Sequence, residues 1–106
     1  MPKYMFEAKY TVRGDEGVRA KGGSDRRDAV VDTVKGLGGE VECVYFAFGD
    51  RDAFAIVDLP NAEAAAAMAL IENASGGVTV KTTALLTPEQ VDEAAGRAVT
   101  YRPPGL

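Results

Sequence analysis

The stretch Lys21-Gly22-Gly23-Ser24-Asp25-Arg26-Arg27 gathers the groups that hold an anion: flexible backbone amides, a hydroxyl and three basic side chains near a helix start. Lys21, Gly22, Gly23, Ser24 and Arg26 are therefore candidates for binding a phosphate or carboxylate. The same residues also read as a glycine-rich connection, an N-cap at Ser24 and a solvated charged turn, with Asp25 opposing an anion. No phosphate-loop or dinucleotide pattern is completed here. A second candidate, Gly49-Asp50-Arg51-Asp52, separates two apolar runs. It reads as a turn, with Gly49 supplying a positive φ and Asp satisfying turn amides, or as an effector contact through Arg51 and Asp52 at a subunit junction.

A third set consists of polar residues on segments that should be strands: Glu7, Lys9, Glu42, Lys81 and Thr83, with the phenols of Tyr4, Tyr10 and Tyr45. In a cleft between sheet and helices, or enclosed within a dimer, they would line a small-molecule pocket. Tyr4, Glu7, Glu42, Tyr45 and Lys81 would then supply acid–base groups. Alternatively they are gatekeepers of edge strands or ion pairs across a dimer. Asn73 and Ser75 face the same cleft in one reading and end a helix in the other. Cys43 reads as a buried, inert thiol in a strand.

The sequence contains no histidine, which removes His-ligated haem, the Ser-His-Asp triad and His-containing zinc sites. Neither a metal nor a cofactor is expected. A formal charge of −4 disfavours a nucleic-acid partner, because such binding rests on clustered Lys and Arg. No apolar run approaches the roughly 20 residues of a membrane span, and the first residues lack a signal peptide's apolar stretch. A cytoplasmic protein with no membrane partner is expected, consistent with one cysteine and no possible intramolecular disulfide. At 106 residues, 46% apolar and 26% charged, the chain reads as one globular domain.

The elements that must position these residues follow from periodicity and breakers. Residues 3–12 alternate as a strand, with Tyr4, Phe6, Ala8 and Tyr10 on one face, and Gly14 and Gly17 end it in a turn-rich stretch. From Ser24 a helix carries Val30, Val34 and Leu37 on one face and stops at Gly38-Gly39. Residues 41–48 and 53–59 read as a β-hairpin. An alanine-rich helix follows Pro60-Asn61 with Ala64, Ala67, Met68 and Ile71 aligned, and residues 78–85 form a fourth strand. Thr87-Pro88-Glu89-Gln90 predicts a capped last helix to about Val99.

The order β-α-β-β-α-β plus a terminal helix predicts an α+β, ferredoxin-like antiparallel four-stranded sheet with helices on one face. In the second strand Val41, Cys43, Tyr45 and Ala47 alternate with Glu42, Val44, Phe46 and Phe48, so both faces look apolar. A second copy covering the open face would give a dimeric α/β barrel, hence a homodimer or higher even-numbered homo-oligomer.

The chain resembles the GYD domain family, small bacterial proteins of the dimeric α/β-barrel type. The likeness is carried by PKYMFEAKYT, GGSDRR, YFAFGDRDAFAIVDLP, NASGGVTVKTTALLTPEQVDEA and YRPPG. In the name-giving signature Arg51 stands where tyrosine is usual, while Gly49 and Asp52 remain. The resemblance implies the fold and dimer packing but no general activity; related barrels include cofactor-free monooxygenases, isomerases and small-effector domains. A non-catalytic small-ligand-binding or accessory protein is the leading expectation. The alternative is a cofactor-independent oxygenase or isomerase acting on a small aromatic or keto substrate.

Overall fold

A computed structural model describes residues 1–105. Its elements run β1 (Lys3–Tyr10), α1 (Val12–Lys21), α2 (Gly23–Gly36), β2 (Glu40–Phe46), β3 (Ala53–Asp58), α3 (Ala62–Ala74), β4 (Val78–Leu85) and α4 (Pro88–Ala95). The strands form one antiparallel sheet in the order β2-β3-β1-β4, the ferredoxin-like arrangement the element order predicts. Among the described residues no helix is long and apolar enough to cross a membrane.

Alternation along β1 sends Tyr4 and Phe6 inward, where they meet Ala55 and Val57 of β3, Val34 of α2, and Ala65 and Met68 of α3. Leu59, Met68, Val34 and Val57 are the largest fully enclosed side chains. Burying each stabilises the fold by about 1.5–3 kcal/mol. The inward face of α2 is the expected one: Val34 is buried, and Val30 and Leu37 pack against the core.

The face of α3 differs from its expected one. Ala65 and Met68 are buried, whereas Ala67 and Ile71 point outward, Ile71 with 65% of its surface exposed. In so alanine-rich a helix, apolar contrast between faces is too weak to fix the rotation. Turning the helix this way carries Glu72, one turn beyond Met68, toward the sheet.

Gly14 and Gly17 do not end β1 in a turn; they lie inside α1. The helix forms despite two poor helix formers because Thr11 caps it, its Oγ1 accepting from the Gly14 N–H at 3.2 Å. Asp15 in the first turn and Arg19 and Lys21 in the last suit the helix dipole. Thr11 also ties the helix to the α3–β4 turn: its N–H donates to the Gly77 carbonyl at 3.0 Å and its hydroxyl to the Gly76 carbonyl at 2.9 Å. At Gly14 a Cβ would collide with the Gly77 carbonyl, so glycine there permits backbone contact.

Ser24 is not the N-cap of α2. Gly22 holds that position, without a side-chain cap, at φ 89° and ψ 169°, a region open essentially to glycine alone. It turns the chain from one helix directly into the next. Gly49, by contrast, is not among the positive-φ glycines.

Strand β2 pairs with β3 through a register shift between Val41 and Cys43. The bulge resets the alternation, so Val41, Val44 and Phe46 lie opposite the inward-facing Val57, Ala55 and Ala53. Cys43 and Tyr45 pair with Ile56 and Phe54 instead. This corrects the grouping of Val41 with Cys43 and Tyr45. The face away from α2 and α3 thus carries Met5, Cys43, Tyr45, Phe54 and Ile56 in its middle, with Lys3, Glu7, Lys81 and Asp58 around them.

The last helix has the expected capping box, with Thr87 and Gln90 bonding each other's backbone N–H groups, but ends at Ala95 rather than near Val99. Every described residue from 86 onward is exposed. With that segment projecting from the body, the molecule measures 55 × 32 × 23 Å.

Candidate functional site

Tyr10 ends β1, Arg26 lies in the first turns of α2, and Glu72 lies near the end of α3. The three meet where the helices reach over one end of the sheet. Three hollows converge on Arg26. The largest, about 370 Å³, lies outside α1 and the start of α2 and is lined by Tyr10, Gly17, Val18, Lys21, Asp25 and Arg26 among others. A second, about 190 Å³, runs between α2 and α3 past Val30, Thr33, Ile71 and Glu72. A third, about 30 Å³, lies beneath them against Phe6, Tyr10, Phe46 and Met68 and is bordered by both Arg26 and Glu72.

Glu72 is the unusual group here. Its side chain is 12% exposed, and Oε2 stands 3.9 Å from Arg26 Nη2, an ion pair too long to be a hydrogen bond. Its Oε1 is buried with no hydrogen-bond partner among the described residues. Burial pushes the carboxyl above the ordinary carboxylate range, with the Arg26 charge pulling the other way. The Tyr10 phenol is likewise raised by burial, and the neighbouring Arg26 guanidinium offsets part of that rise. A carboxylate, a guanidinium and a phenol therefore share a partly buried corner in which one carboxylate oxygen has unspent hydrogen-bonding capacity.

The glycine-rich stretch contributes to this corner in part. Lys21, Gly22 and Arg26 line the large hollow, and so does Asp25, whose charge opposes an anion there. Gly23 instead packs beneath Phe46, Ser24 is exposed, and Arg27 pairs with its neighbour Asp28. Ser75 reaches the cleft, while its hydroxyl closes the end of α3 by donating to the Glu72 carbonyl at 2.7 Å. Asn73 is turned to the backbone, Oδ1 accepting from the Val80 N–H at 2.8 Å.

The Gly49-Asp50-Arg51-Asp52 segment lies in the β2–β3 connection. Asp52 extends the sheet beyond the end of β3: its N–H donates to the Ala8 carbonyl and its Oδ2 accepts from the Tyr10 N–H, both at 2.8 Å. That backbone hydrogen bond holds its carboxyl below the ordinary range, aided by Lys9 at 3.3 Å. Arg51 is half-buried beside it and outside all three hollows.

The five acid–base candidates do not converge on the cleft. Tyr4 belongs to the core. Glu7 and Lys81 are register partners on the open sheet face, in one row with Phe54 and Tyr45, and Thr83 follows opposite Met5. Glu42 is bound at 2.9 Å by Lys3, which also grips Asp58 at 2.9 Å. Cys43 is a half-buried thiol on the same face. Among the described residues no group of three or more His, Cys, Asp or Glu side chains is gathered as metal ligands would be.

Sequence reasoning missed Glu72 and gave Tyr10 only as one phenol among several. The available signal was the spacing Ala65, Met68, Ala69, Glu72, which places a carboxylate in line with a buried helix face. Comparison with known families matches the GYD domain to residues 4–95. No curated protein and no solved structure gave a match.

Proposed function

The chain belongs to the GYD domain family, and from that starting point we propose that it binds a small molecule at the corner formed by Tyr10, Arg26 and Glu72. The observation that carries this reading is the buried Glu72 Oε1 without a donor, beside a guanidinium that it does not hydrogen-bond. An unsatisfied buried carboxylate oxygen costs about 1–3 kcal/mol or more, a penalty that a ligand donor would relieve. The adjoining hollows of about 370 and 190 Å³ offer room between apolar walls such as Val18 and Val30 and a comparable share of polar groups, Lys21, Arg26 and Glu72 among them. Lys21 and Arg26 favour a ligand with an anionic or carbonyl end.

The protein acts as a homodimer or higher even-numbered assembly through the open sheet face. Support for a second copy as the occupant comes from the distribution of charge on that face. Glu40, Glu42 and Asp58 outnumber the bridging Lys3 at the β2 corner, and Lys81 and Lys9, beside Glu7 and Asp52, lie at the diagonally opposite β4 corner. A two-fold axis along the other diagonal sets each net-negative corner over the one that carries Lys9 and Lys81, and buries Met5, Phe54 and Ile56 between the sheets.

Ligand-observed NMR with a set of small aliphatic and aromatic hydroxy acids and keto acids, the former carrying a hydroxyl donor, tests the binding site. Saturable binding is expected for the wild type, weakened about tenfold or more in Arg26→Met by loss of a charge-assisted contact. Filling the open space at Gly17 with Gly17→Leu should weaken it too, and Lys81→Ala on the open face should leave it unchanged. Equal binding by all four proteins would overturn the assignment.

A further inference from the structure

Glu72 is placed to do more than hold a ligand. A carboxylate that serves only as half of an ion pair gains from close contact with its partner, yet here Oε2 and the Arg26 nitrogen remain 3.9 Å apart and Oε1 is buried with no hydrogen-bond partner among the described residues. Both groups border the groove between α2 and α3, so a molecule seated there meets a proton acceptor and a cationic donor side by side. Val30, Met68 and Val78 form one part of the groove's wall and Thr33 and Ser75 share the rest with Arg26 and Glu72, so both charged groups face the same space.

We propose that Glu72 is the general base for an enolisable carbonyl compound whose oxygen is held by Arg26, so that the site catalyses proton transfer at the carbon beside that carbonyl. This rests on the binding reading above and names its substrate class and reaction. The C–H bond next to the carbonyl breaks and its proton passes to the Glu72 carboxylate through Oε2, the oxygen beside Arg26. The C–H electron pair becomes the carbon–carbon double bond of an enolate, and the carbonyl π pair moves onto the oxygen facing the Arg26 guanidinium. Return of the proton to the same carbon gives exchange; delivery to the far carbon of a conjugated system gives isomerisation. No oxidant, reductant or second substrate is consumed. Tyr10 lines the neighbouring hollows together with Arg26. Burial suits Glu72 to this task, because a carboxyl held above its ordinary range is a stronger base once ionised.

The test uses the full-length protein in D₂O with pyruvate, phenylpyruvate and acetylacetone as probes. Loss of the α-proton signals is followed by ¹H NMR while binding of the same probes is measured in parallel. Saturable exchange above the buffer rate is expected with at least one probe, rising with pH to a plateau as Glu72 ionises. Glu72→Gln, which keeps the shape of the side chain, should lower the exchange rate by about 10²-fold or more while still binding the probe. Glu72→Asp should retain binding and part of the rate, so a folding defect in one variant cannot imitate the result. Binding without exchange, or exchange equally fast in Glu72→Gln, overturns the proposal and leaves the ligand site standing. Failure of all three probes to bind overturns both.

Discussion

At the residue scale the molecule turns on one carboxyl group. Because the native state raises the Glu72 carboxyl above the 4.5 of an ordinary glutamate, it holds that proton more tightly than the unfolded chain does. Between 4.5 and the raised value the folded state binds more protons, so this residue's contribution makes stability fall as pH rises through that window. Glu72→Gln should remove that slope in urea unfolding measured from pH 4 to 8, with a change at neutral pH within about 1 kcal/mol. Asp52 acts in the opposite sense. Its carboxyl is held below the ordinary value chiefly by the Tyr10 N–H, so its stabilisation is present above about pH 4 and is lost as acid protonates it. Asp52→Asn should flatten the acid limb alone. The two residues were unequally legible in the sequence. Asp52 stood out beside Gly49 as a turn residue, and its side chain does satisfy a backbone amide. Glu72 was hidden because the buried face of α3 was assigned through Ala64, Ala67 and Ile71, where small side chains leave the helix rotation undetermined.

At the element scale, the strands were readable and two irregularities were not. Aromatic and β-branched alternation located all four strands to within about two residues. The bulge near Glu42 left no such mark, so a strict two-residue period carried past it grouped Val41 with Cys43 and Tyr45 rather than with Val44 and Phe46. The first helix was missed because its two glycines resemble punctuation, although Thr11 and the charges at its ends are ordinary helix signals. Those glycines now separate by function. Gly14→Ala forces a methyl into the Gly77 carbonyl and should cost about 1–3 kcal/mol or more in unfolding free energy. Gly17→Ala enters open space inside the same helix and should stabilise by about 0.5–1 kcal/mol. Equal effects of the two substitutions in denaturant melts would show that α1 is not docked as described.

At the scale of the whole molecule, one sheet presents two different surfaces. The helix-covered side holds the core and, at its end, the Tyr10–Arg26–Glu72 corner; the other side leaves Met5, Phe54 and Ile56 without a covering helix. Antiparallel β-α-β-β-α-β order made this layering readable in advance, whereas the projection of α4 was not, since its weak apolar stripe does not say what lies against it. If the proposed dimer forms through the open face, a charge in its middle, as in Ile56→Lys, should give a monomer by sedimentation velocity that stays folded by circular dichroism, because Ile56 faces away from the core. Native mass spectrometry of the wild-type protein, sprayed with phenylpyruvate, pyruvate or acetylacetone, addresses both surfaces at once. An even-numbered oligomer that takes up one probe molecule per chain, an adduct lost in Arg26→Met, is the expected spectrum. A monomer at micromolar concentration, or an oligomer that takes up none of the three, would contradict the account.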